Sequence, residues 1–334
     1  MTPIRLGRMA YINTLPVDWG LIKGGLGSLR AIVRRGAPTL LNALMSEGHL
    51  DASPVSSVAA ADHAADWLVF DHLCIGSRGA VGSVILHSDV PVEELGGRSI
   101  TVTSDSATAT RLLQILLERY WGVKAELAVD HGEATLAPNW EPVSRSTGVC
   151  PVNRASGLSA FRQGGEVGKE EGREPLFAQR AYPQRRSSRS GSRLLIGDMA
   201  LKTAQSNPSG FIYDLGQAWR DYTGYGFVFG LWCVRRAFAD HYPWETHMLY
   251  DLLSASRAQG LAEERDVVAE AARVTGLAQS KIRRYFNKLD YDLDEELWKG
   301  LCHFLRLLGH NPAVLQRFGE GEQRRQRLGV SGGL

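Results

Sequence analysis

Residues 99–120 read SITVTSDSATATRLLQILLERY, and this stretch decides the fold class. The first five residues alternate and are rich in β-branched side chains, which predicts a strand over 99–103. A Ser/Thr loop follows, and four leucines then share one face of a predicted helix over 109–120. A strand that runs through a polar loop into a helix is typical of α/β proteins. The free N–H groups at such a helix start suit an anion.

The segments before this unit continue the α/β pattern. Residues 5–9 predict a first strand that runs into a loop at 13–16, and residues 38–47 predict an amphipathic helix. Residues 50–55 predict a strand that ends in a loop. Residues 81–87 are apolar and β-branched, which predicts a buried strand.

The segments after it alternate in the same way. Residues 194–198 predict a strand followed by a loop, and residues 213–219 predict a helix. Residues 227–234 are apolar and aromatic and predict a strand. From Pro243 to the end the pattern is helical.

Residues 137–193 break the pattern. Within them, residues 141–193 carry nine Arg and one Lys against five Glu, with almost no apolar periodicity. A structureless segment of this length is uncommon inside a compact domain. We favour a disordered insertion, and a basic phosphate- or nucleic-acid-binding arm and a sequence artefact remain open.

Composition excludes several classes of protein. The chain has 334 residues, 44% hydrophobic and 22% charged, which fits two or three globular domains. Lys and Arg number 38 against 36 Asp and Glu, so a nucleic-acid partner is not expected. The four cysteines form no C-x-x-C pair, which argues against a zinc ribbon and is compatible with a reducing cytosol.

The sequence also lacks recognisable targeting and cofactor-binding motifs. We see no secretory signal and no apolar stretch long enough to span a membrane, so we expect a cytoplasmic protein without a membrane partner. The nine histidines form no H-E-x-x-H pair, and G-x-S-x-G, Walker A and G-x-G-x-x-G patterns are absent. We therefore expect neither a metal nor a cofactor.

Small polar loops follow the predicted strands instead. In open α/β sheets, ligands bind beyond the carboxyl ends of the strands. Ser, Thr and Asn are also ordinary helix caps and turn formers, so the repetition of these loops is more informative than any one of them. The loops lie at residues 13–14, 53–57, 82–83, 103–108 and 197–198.

An ordered set of motifs resembles a known family. The set is YINTLP (11–16), SPVSS (53–57), GAVGSVILHS (79–88), TVTSDSATAT (101–110), LLIGDMAL (194–201), YDLGQAWRDYTGYGFVFGLW (213–232) and YFNKLDYDLDEELWKGLCHF (285–304). Together these motifs resemble the chorismate dehydratase family of the futalosine route to menaquinone. The resemblance covers nearly the whole chain outside 137–193, where relatives have a shorter connection.

The resemblance implies the two-domain α/β fold of the periplasmic type II solute-binding proteins, with the ligand in an interdomain cleft. Residues 1–90 and 206–334 would form the larger first domain, which includes the C-terminal helices. Residues 91–205 would form the second domain and contain the insertion.

The resemblance also implies a reaction, the conversion of chorismate to 3-[(1-carboxyvinyl)oxy]benzoate and water. Chorismate is a dianion, so two carboxylate sites are expected. The expected binding residues are Thr103, Ser106, Ala107 and Thr108 for one carboxylate, and Ser56, Ser57 and Ser83 for the other.

The catalytic residues are less constrained. Asn13 is expected to hydrogen-bond the leaving hydroxyl or the enolpyruvyl carboxylate, because an amide both donates and accepts. Asp198 is the carboxylate of a strand-end motif that returns to the cleft, and it is a candidate base. A structural role for Asp198 as the cap of a helix that begins at Met199, with the substrate's own carboxylate taking the proton, stays open.

Other classes remain as alternatives. One is the sister enzyme of the same route, which acts on cyclic dehypoxanthine futalosine, and another is a cytosolic solute-binding or sensor protein. Residues 262–289 also have a helix–turn–helix rhythm, for which plain helical packing is the better interpretation. Whether the chain forms a homodimer is left open.

Overall fold

The computed structural model describes residues 3–24, 29–104, 106–130, 140–142, 191–206 and 209–319, and two β-sheets organise them. The strands are β1 (Ile4–Met9), β2 (Ala31–Gly36), β3 (Ala52–Ser56), β4 (Trp67–Ser77), β5 (Val84–Ser88), β6 (Ser99–Thr103), β7 (Glu126–Asp130), β8 (Trp140–Pro142), β9 (Ser192–Ile196), β10 (Phe211–Asp214), β11 (Phe227–Arg235) and β12 (Gln316–Phe318). The helices are α1 (Leu15–Ile22), α2 (Pro38–Ser46), α3 (Ser57–Asp62), α4 (Ala107–Ile115), α5 (Gly197–Gln205), α6 (Leu215–Thr223), α7 (Arg236–His241), α8 (Pro243–Ala262), α9 (Glu264–Thr275), α10 (Gln279–Phe286) and α11 (Glu295–Leu307).

The larger sheet has seven strands in the order β12-β4-β11-β3-β1-β2-β8. Its centre is parallel, with Leu6 of β1 opposite both Val33 of β2 and Ala52 of β3. The strand β11 returns antiparallel between β3 and β4. We call this sheet and its helices α1–α3 and α7–α11 the first lobe.

The smaller sheet has five strands in the order β10-β5-β9-β6-β7. The strand β6 is parallel to β7 and β9, whereas β5 runs antiparallel to β9 and β10. We call this sheet, with α4 and α5, the second lobe. The helix α6 lies on the return path between the lobes.

Strand pairing sets where the lobes begin and end. The strands β5 and β10 belong to the five-stranded sheet, although the sequence analysis placed residues 1–90 and 206–334 in the first domain. The strand β8, inside the predicted second domain, pairs antiparallel with β2 of the first lobe. The paths between the lobes therefore include residues 78–83 and 215–226, and the predicted domain boundaries at 90/91 and 205/206 stay a prediction.

Local capping explains where several helices begin. The helix predicted over 213–219 begins two residues later, at Leu215. It begins there because the Asp214 carboxylate accepts hydrogen bonds from the N–H groups of Gly216 and Gln217. The loop expected at 13–16 is a short 3₁₀ turn, Ile12–Thr14, that leads directly into α1. Proline at the second position of α1 is compatible with a helix start, since its missing N–H has no partner there.

The helix expected over 109–120 begins two residues earlier, at Ala107. The Ser106 hydroxyl caps it and accepts a hydrogen bond from Ala109 N at 3.2 Å. Its last turn, Leu116–Tyr120, is a π-helix. The other strands and helices predicted before Pro243 lie within a few residues of the observed ones. The prediction that the chain is helical from Pro243 to the end is wrong at 316–318, because these residues pair with β4 as β12.

An aromatic core anchors the return path to the first lobe. Trp219 of α6 packs edge-on against Phe227 of β11, with 5.3 Å between ring centroids. Phe227 meets Phe304 of α11 in the same way at 4.8 Å. All three side chains are fully buried, and the Trp219 indole N–H donates to the Gly226 carbonyl at 3.2 Å. Such edge-to-face contacts add to the energy of apolar burial.

Most of the predicted insertion at 137–193 lies outside the described residues. Two parts of it are described. One is β8, and the other is residues 191–193, of which Gly191 precedes β9 while Ser192 and Arg193 belong to it. Within the described ranges, every helix is too short or too polar to cross a membrane.

Candidate functional site

The two lobes touch where the starts of α3 and α4 face each other. The backbone N–H of Val58, in the first turn of α3, donates to Oγ1 of Thr108 in the first turn of α4 at 3.2 Å. Thr108 is buried, so this contact lies inside the molecule. The structure thus brings the predicted loops 53–57 and 103–108 together across a cleft between the lobes.

Ser56 and Ser57 form the first-lobe wall of this cleft, and both hydroxyls have protein partners. The Ser56 hydroxyl caps α3 by accepting from Ala59 N at 3.2 Å, and it also accepts from the Asn42 amide at 3.1 Å. The Ser57 hydroxyl is fully buried and donates to the Val228 carbonyl at 2.7 Å. The loop expected at 53–57 is instead a direct junction, because β3 ends at Ser56 and α3 begins at Ser57. What this junction offers a ligand is the start of α3.

Ser106, Ala107 and Thr108 form the facing wall. Ser106 is half-buried and caps α4, and Ala107 is its first residue. Thr103 ends β6 and lies opposite Asp130 of β7 in the sheet register. Asp105, between them, lies outside the described residues. A helix start of this kind presents N–H groups and the positive end of the helix dipole to an anion.

Asn13 lies at the carboxyl end of β1, in the turn that precedes α1. Its side-chain oxygen is buried and accepts no hydrogen bond within the part of the chain that the structure describes. A buried amide oxygen without a donor costs free energy, so such a group is unusual in a native protein. Asn13 is therefore poised to accept a hydrogen bond from a ligand.

A buried charged cluster lies directly beneath the Asn13 turn. Thr14 Oγ1 donates to Asp18 Oδ2 at 2.9 Å, and Arg8 Nε lies 4.0 Å from the same carboxylate. Burial raises the pKa of Asp18 to about 6, although Arg8, Thr14 and Arg35 each lower it. The sequence did not single out this cluster. The first strand carries two arginines, Arg5 and Arg8, and nothing in its pattern shows that only Arg8 is buried.

Asp198 reaches the same turn from the second lobe. It is buried, and its Oδ1 accepts from the backbone N–H of Ile12 at 3.4 Å. The helix α5 begins at Gly197 with Ile196 as its N-cap, so Asp198 lies in the first turn and is not the cap. The alternative that it caps a helix beginning at Met199 is wrong, because the helix starts before Asp198.

Ser83 connects this region to the C-terminal helices. Its carbonyl accepts from Gly197 N at 2.8 Å, and its hydroxyl accepts from the Tyr285 phenol of α10 at 3.1 Å. Burial raises the pKa of the Tyr285 phenol, and the nearby Asp198 charge raises it further.

Lys288, just after α10, carries an exposed ammonium group close to Gly82. Tyr285 and Lys288 lie in a motif quoted above, but the sequence analysis gave them no role.

The arrangement can bind and orient an anion. It combines two helix starts, hydroxyl groups and an amide, together with one buried carboxylate, Asp198. Across the described ranges, no three His, Cys, Asp or Glu side chains are grouped so that they could hold a metal ion. A hollow on the surface beyond α4, lined in part by Gln114 and Lys124, shares no residue with this cleft.

Comparisons with known proteins agree with this architecture. A protein of Archaeoglobus fulgidus solved by X-ray crystallography superposes with a TM-score of 0.61 at 14% identity, covering 92% of this chain and 98% of that one. The alkanesulfonate-binding protein SsuA of Xanthomonas axonopodis pv. citri, solved with MOPS bound, gives 0.58 at 12% identity, covering 95% and 99%. The predicted periplasmic-binding-protein-like fold is confirmed.

Sequence comparison is more specific. The chorismate dehydratase of Thermus thermophilus is 26% identical over 324 residues, which cover 92% of this chain and 96% of that protein. The family described as Menaquinone biosynthesis matches residues 4–138 and 177–310, on both sides of the basic segment. These two matched stretches contain every cleft residue described above, and they show that the chain belongs to the menaquinone biosynthesis family.

Proposed function

We propose that this protein is a chorismate dehydratase, which converts chorismate to 3-[(1-carboxyvinyl)oxy]benzoate and water. Family membership and the Thermus thermophilus relative support a role in menaquinone biosynthesis. The observation that carries the proposal is the contact between Val58 and Thr108, because it places the starts of α3 and α4 on either side of one cleft. A dianion would bind between these two walls once the lobes have separated.

The proposal assigns a wall of the cleft to each carboxylate. Ser106, Ala107 and Thr108 at the start of α4, with Thr103 before them, would hold one carboxylate. Ser83, together with the junction of β3 and α3 at Ser56 and Ser57, would hold the other. Since Val58 N and Thr108 Oγ1 already bond to each other, the lobes must separate before substrate enters, and the carboxylate would replace Thr108 as the partner of Val58 N.

The chemistry is an elimination. A base takes the proton from ring carbon C3, the C–H electron pair becomes a ring double bond, and the C4–O bond breaks. The leaving hydroxide takes a proton and departs as water. The ring becomes aromatic, which supplies the driving force, so the enzyme contributes mainly orientation and exclusion of solvent. The overall reaction is a dehydration, and the proposal requires no cofactor.

Asn13 and Asp198 are the proposed catalytic residues. The unpartnered Asn13 oxygen would accept a hydrogen bond from the leaving 4-hydroxyl and fix its orientation. Asp198 is the candidate base, and its bond to Ile12 N ties it to the same turn. The substrate's own carboxylate is the alternative base. We place the reaction in the cytoplasm, as expected for an enzyme of menaquinone biosynthesis.

Incubation of the purified protein with chorismate tests the proposal. We expect absorbance to report a new aromatic ring and mass spectrometry to report a product lighter than chorismate by one water. An Asn13→Ala protein purified in parallel should form product far more slowly, which separates the enzyme from spontaneous chorismate decay. Saturable chorismate binding without turnover would contradict the dehydratase and favour a sensor. Turnover of cyclic dehypoxanthine futalosine instead would favour the sister enzyme.

A further inference from the structure

Tyr285 is a buried residue in contact with the cleft that the proposed mechanism does not use. It lies near the end of α10 and is only 3% exposed. Its phenol oxygen lies 3.1 Å from Oγ of Ser83, which is 4% exposed. The two residues are far apart in sequence, and only the packing of α10 beside residues 78–83 brings them together.

The direction of this hydrogen bond determines what Ser83 can offer. A hydroxyl group has one proton to donate and two lone pairs to accept with. The phenol donates to Ser83 Oγ and so occupies one lone pair. The Ser83 hydroxyl makes no other hydrogen bond to any residue that the structure describes. Its own proton therefore has no acceptor among these described residues, and an unsatisfied donor in a buried position costs free energy.

The backbone of Ser83 is held as firmly as its side chain. Its carbonyl accepts from Gly197 N at 2.8 Å, at the start of α5, where the Asp198 carboxylate is also buried. The charge of Asp198 raises the pKa of the Tyr285 phenol, so the two side chains lie near each other. The Ser83 hydroxyl, whose proton has no acceptor among the described residues, therefore lies between the two lobes.

We infer that Tyr285 is a positioning residue for the proposed dehydratase: by donating to Ser83 Oγ, it commits the Ser83 proton to a substrate carboxylate. This inference rests on the proposed function. Without the phenol, Ser83 can rotate and donate to a protein or water oxygen instead, so the free enzyme loses preorganisation for the anion. Loss of the phenol should therefore weaken substrate binding and leave the rate of the chemical step unchanged.

The chain offers a matched control in Tyr291. It is 5% exposed and lies near Tyr285, and its phenol oxygen is buried without a hydrogen-bond partner among the described residues. Replacement of either tyrosine by phenylalanine keeps the ring and removes one oxygen. The two variants therefore differ in whether a hydrogen bond to Ser83 is lost.

The test is a double-mutant cycle on chorismate kinetics with Tyr285→Phe, Ser83→Ala and both together. We expect Tyr285→Phe to raise KM about tenfold, the worth of one hydrogen bond to a charged group, while kcat stays within about twofold. The double variant should be no worse than Ser83→Ala alone, since Tyr285 acts through Ser83. Tyr291→Phe should leave both constants unchanged.

Two outcomes would overturn the inference. Additive effects in the double variant would show that Tyr285 does not act through Ser83, and equal effects of Tyr285→Phe and Tyr291→Phe would show a merely structural role. Ser83→Ala breaks the same bond from the other side, so the bond can be tested even where Tyr285→Phe fails to fold. Absence of turnover in the unmodified protein is a different failure, because it overturns the proposed function itself.

Discussion

The backbone N–H of Val58 and the side-chain oxygen of Thr108 are joined by a 3.2 Å hydrogen bond that crosses from one lobe to the other. The bond satisfies an N–H in the first turn of α3 that the helix itself leaves without a partner. It also gives one lone pair of the buried Thr108 hydroxyl a donor. The cleft is thus bridged by the groups that we propose bind a carboxylate.

Thr108→Val should weaken this closure without changing the volume of the side chain. Val58 N would lose its acceptor, at a cost of roughly 1–3 kcal/mol in the closed form. We expect faster amide hydrogen exchange at Val58 and a higher KM for chorismate. Thr108→Ser keeps the hydroxyl and should behave like the unmodified protein. Unchanged exchange at Val58 in the valine variant would contradict the role given to this bond.

Gly197→Ala should disturb the cleft, whereas Gly276→Ala should affect only stability. Both glycines have positive φ, +58° and +74°, so both alanines are strained by about 1 kcal/mol. A Cβ at 197 would also lie 2.9 Å from the Tyr11 ring across the cleft, whereas a Cβ at 276 would meet nothing within 4 Å. We expect a raised KM for the first variant alone, measured beside the melting temperature of each. Equal KM values would show that the contact with Tyr11 is not needed for binding.

Asn13→Ala should lower kcat/KM by about a hundredfold, the order expected when a group that orients the reacting atoms is removed. Stability should not fall, because the amide oxygen that is lost has no hydrogen-bond donor among the described residues. Steady-state kinetics and thermal unfolding check the two halves of this prediction. Normal kcat and KM would remove Asn13 from the mechanism.

Asp18 should make stability depend on pH in a defined window. Its pKa rises from 3.8 to about 6 on folding, so between these values the folded protein holds a proton that the unfolded chain releases. Stability therefore falls as pH rises through this window, by about 3 kcal/mol in all. Arg8, Arg35 and Thr14 face Asp18, and each lowers its pKa against the larger effect of burial.

Urea unfolding of the unmodified protein and of Asp18→Asn, at pH values from 4 to 7, measures this contribution. The asparagine does not titrate, so the stability of the unmodified protein relative to the variant should decline as pH rises. Contributions from other groups cancel in the difference. Parallel pH curves for the two proteins would mean that the Asp18 carboxyl is not desolvated in the folded state.

Asp214→Ala should destabilise the connection between the lobes. Its carboxylate accepts from Val81 N at 3.0 Å and Gly82 N at 2.6 Å, besides the two N–H groups that it caps in α6. Loss of a cap and of two charge-assisted bonds should cost on the order of 3 kcal/mol in unfolding free energy. Asp221→Ala removes an exposed carboxylate that, within the described part of the chain, bonds only to Gln217, and should cost less than about 0.5 kcal/mol. Equal losses would contradict this role for Asp214.

Patterns confined to one element were predictable from the sequence. The strand and helix at 99–120 were recognised because side-chain period and Ser/Thr caps are local properties. The start of α6 at Leu215 was not, since the run from Tyr213 is equally compatible with a helix that begins earlier. The side chain of Asp214 decides it by binding two segments at once.

The cleft residues likewise divide into those that the sequence could place and those that it could not. Each polar loop could be placed at a strand end from the sequence, and family resemblance put the loops in one site. Arg8, Asp18 and Tyr285 were missed because a single charged or phenolic side chain has no local pattern that separates a structural group from a functional one.

The sequence by itself determined the α/β alternation, the polar strand ends and the family. Tertiary structure alone decided that Val58 meets Thr108, that Ile12 meets Asp198 and that Tyr285 meets Ser83. The physical reason is range. Helix and strand preferences come from neighbours a few residues apart, whereas each of these hydrogen bonds joins residues that only the packing of whole lobes and helices brings within 3.5 Å.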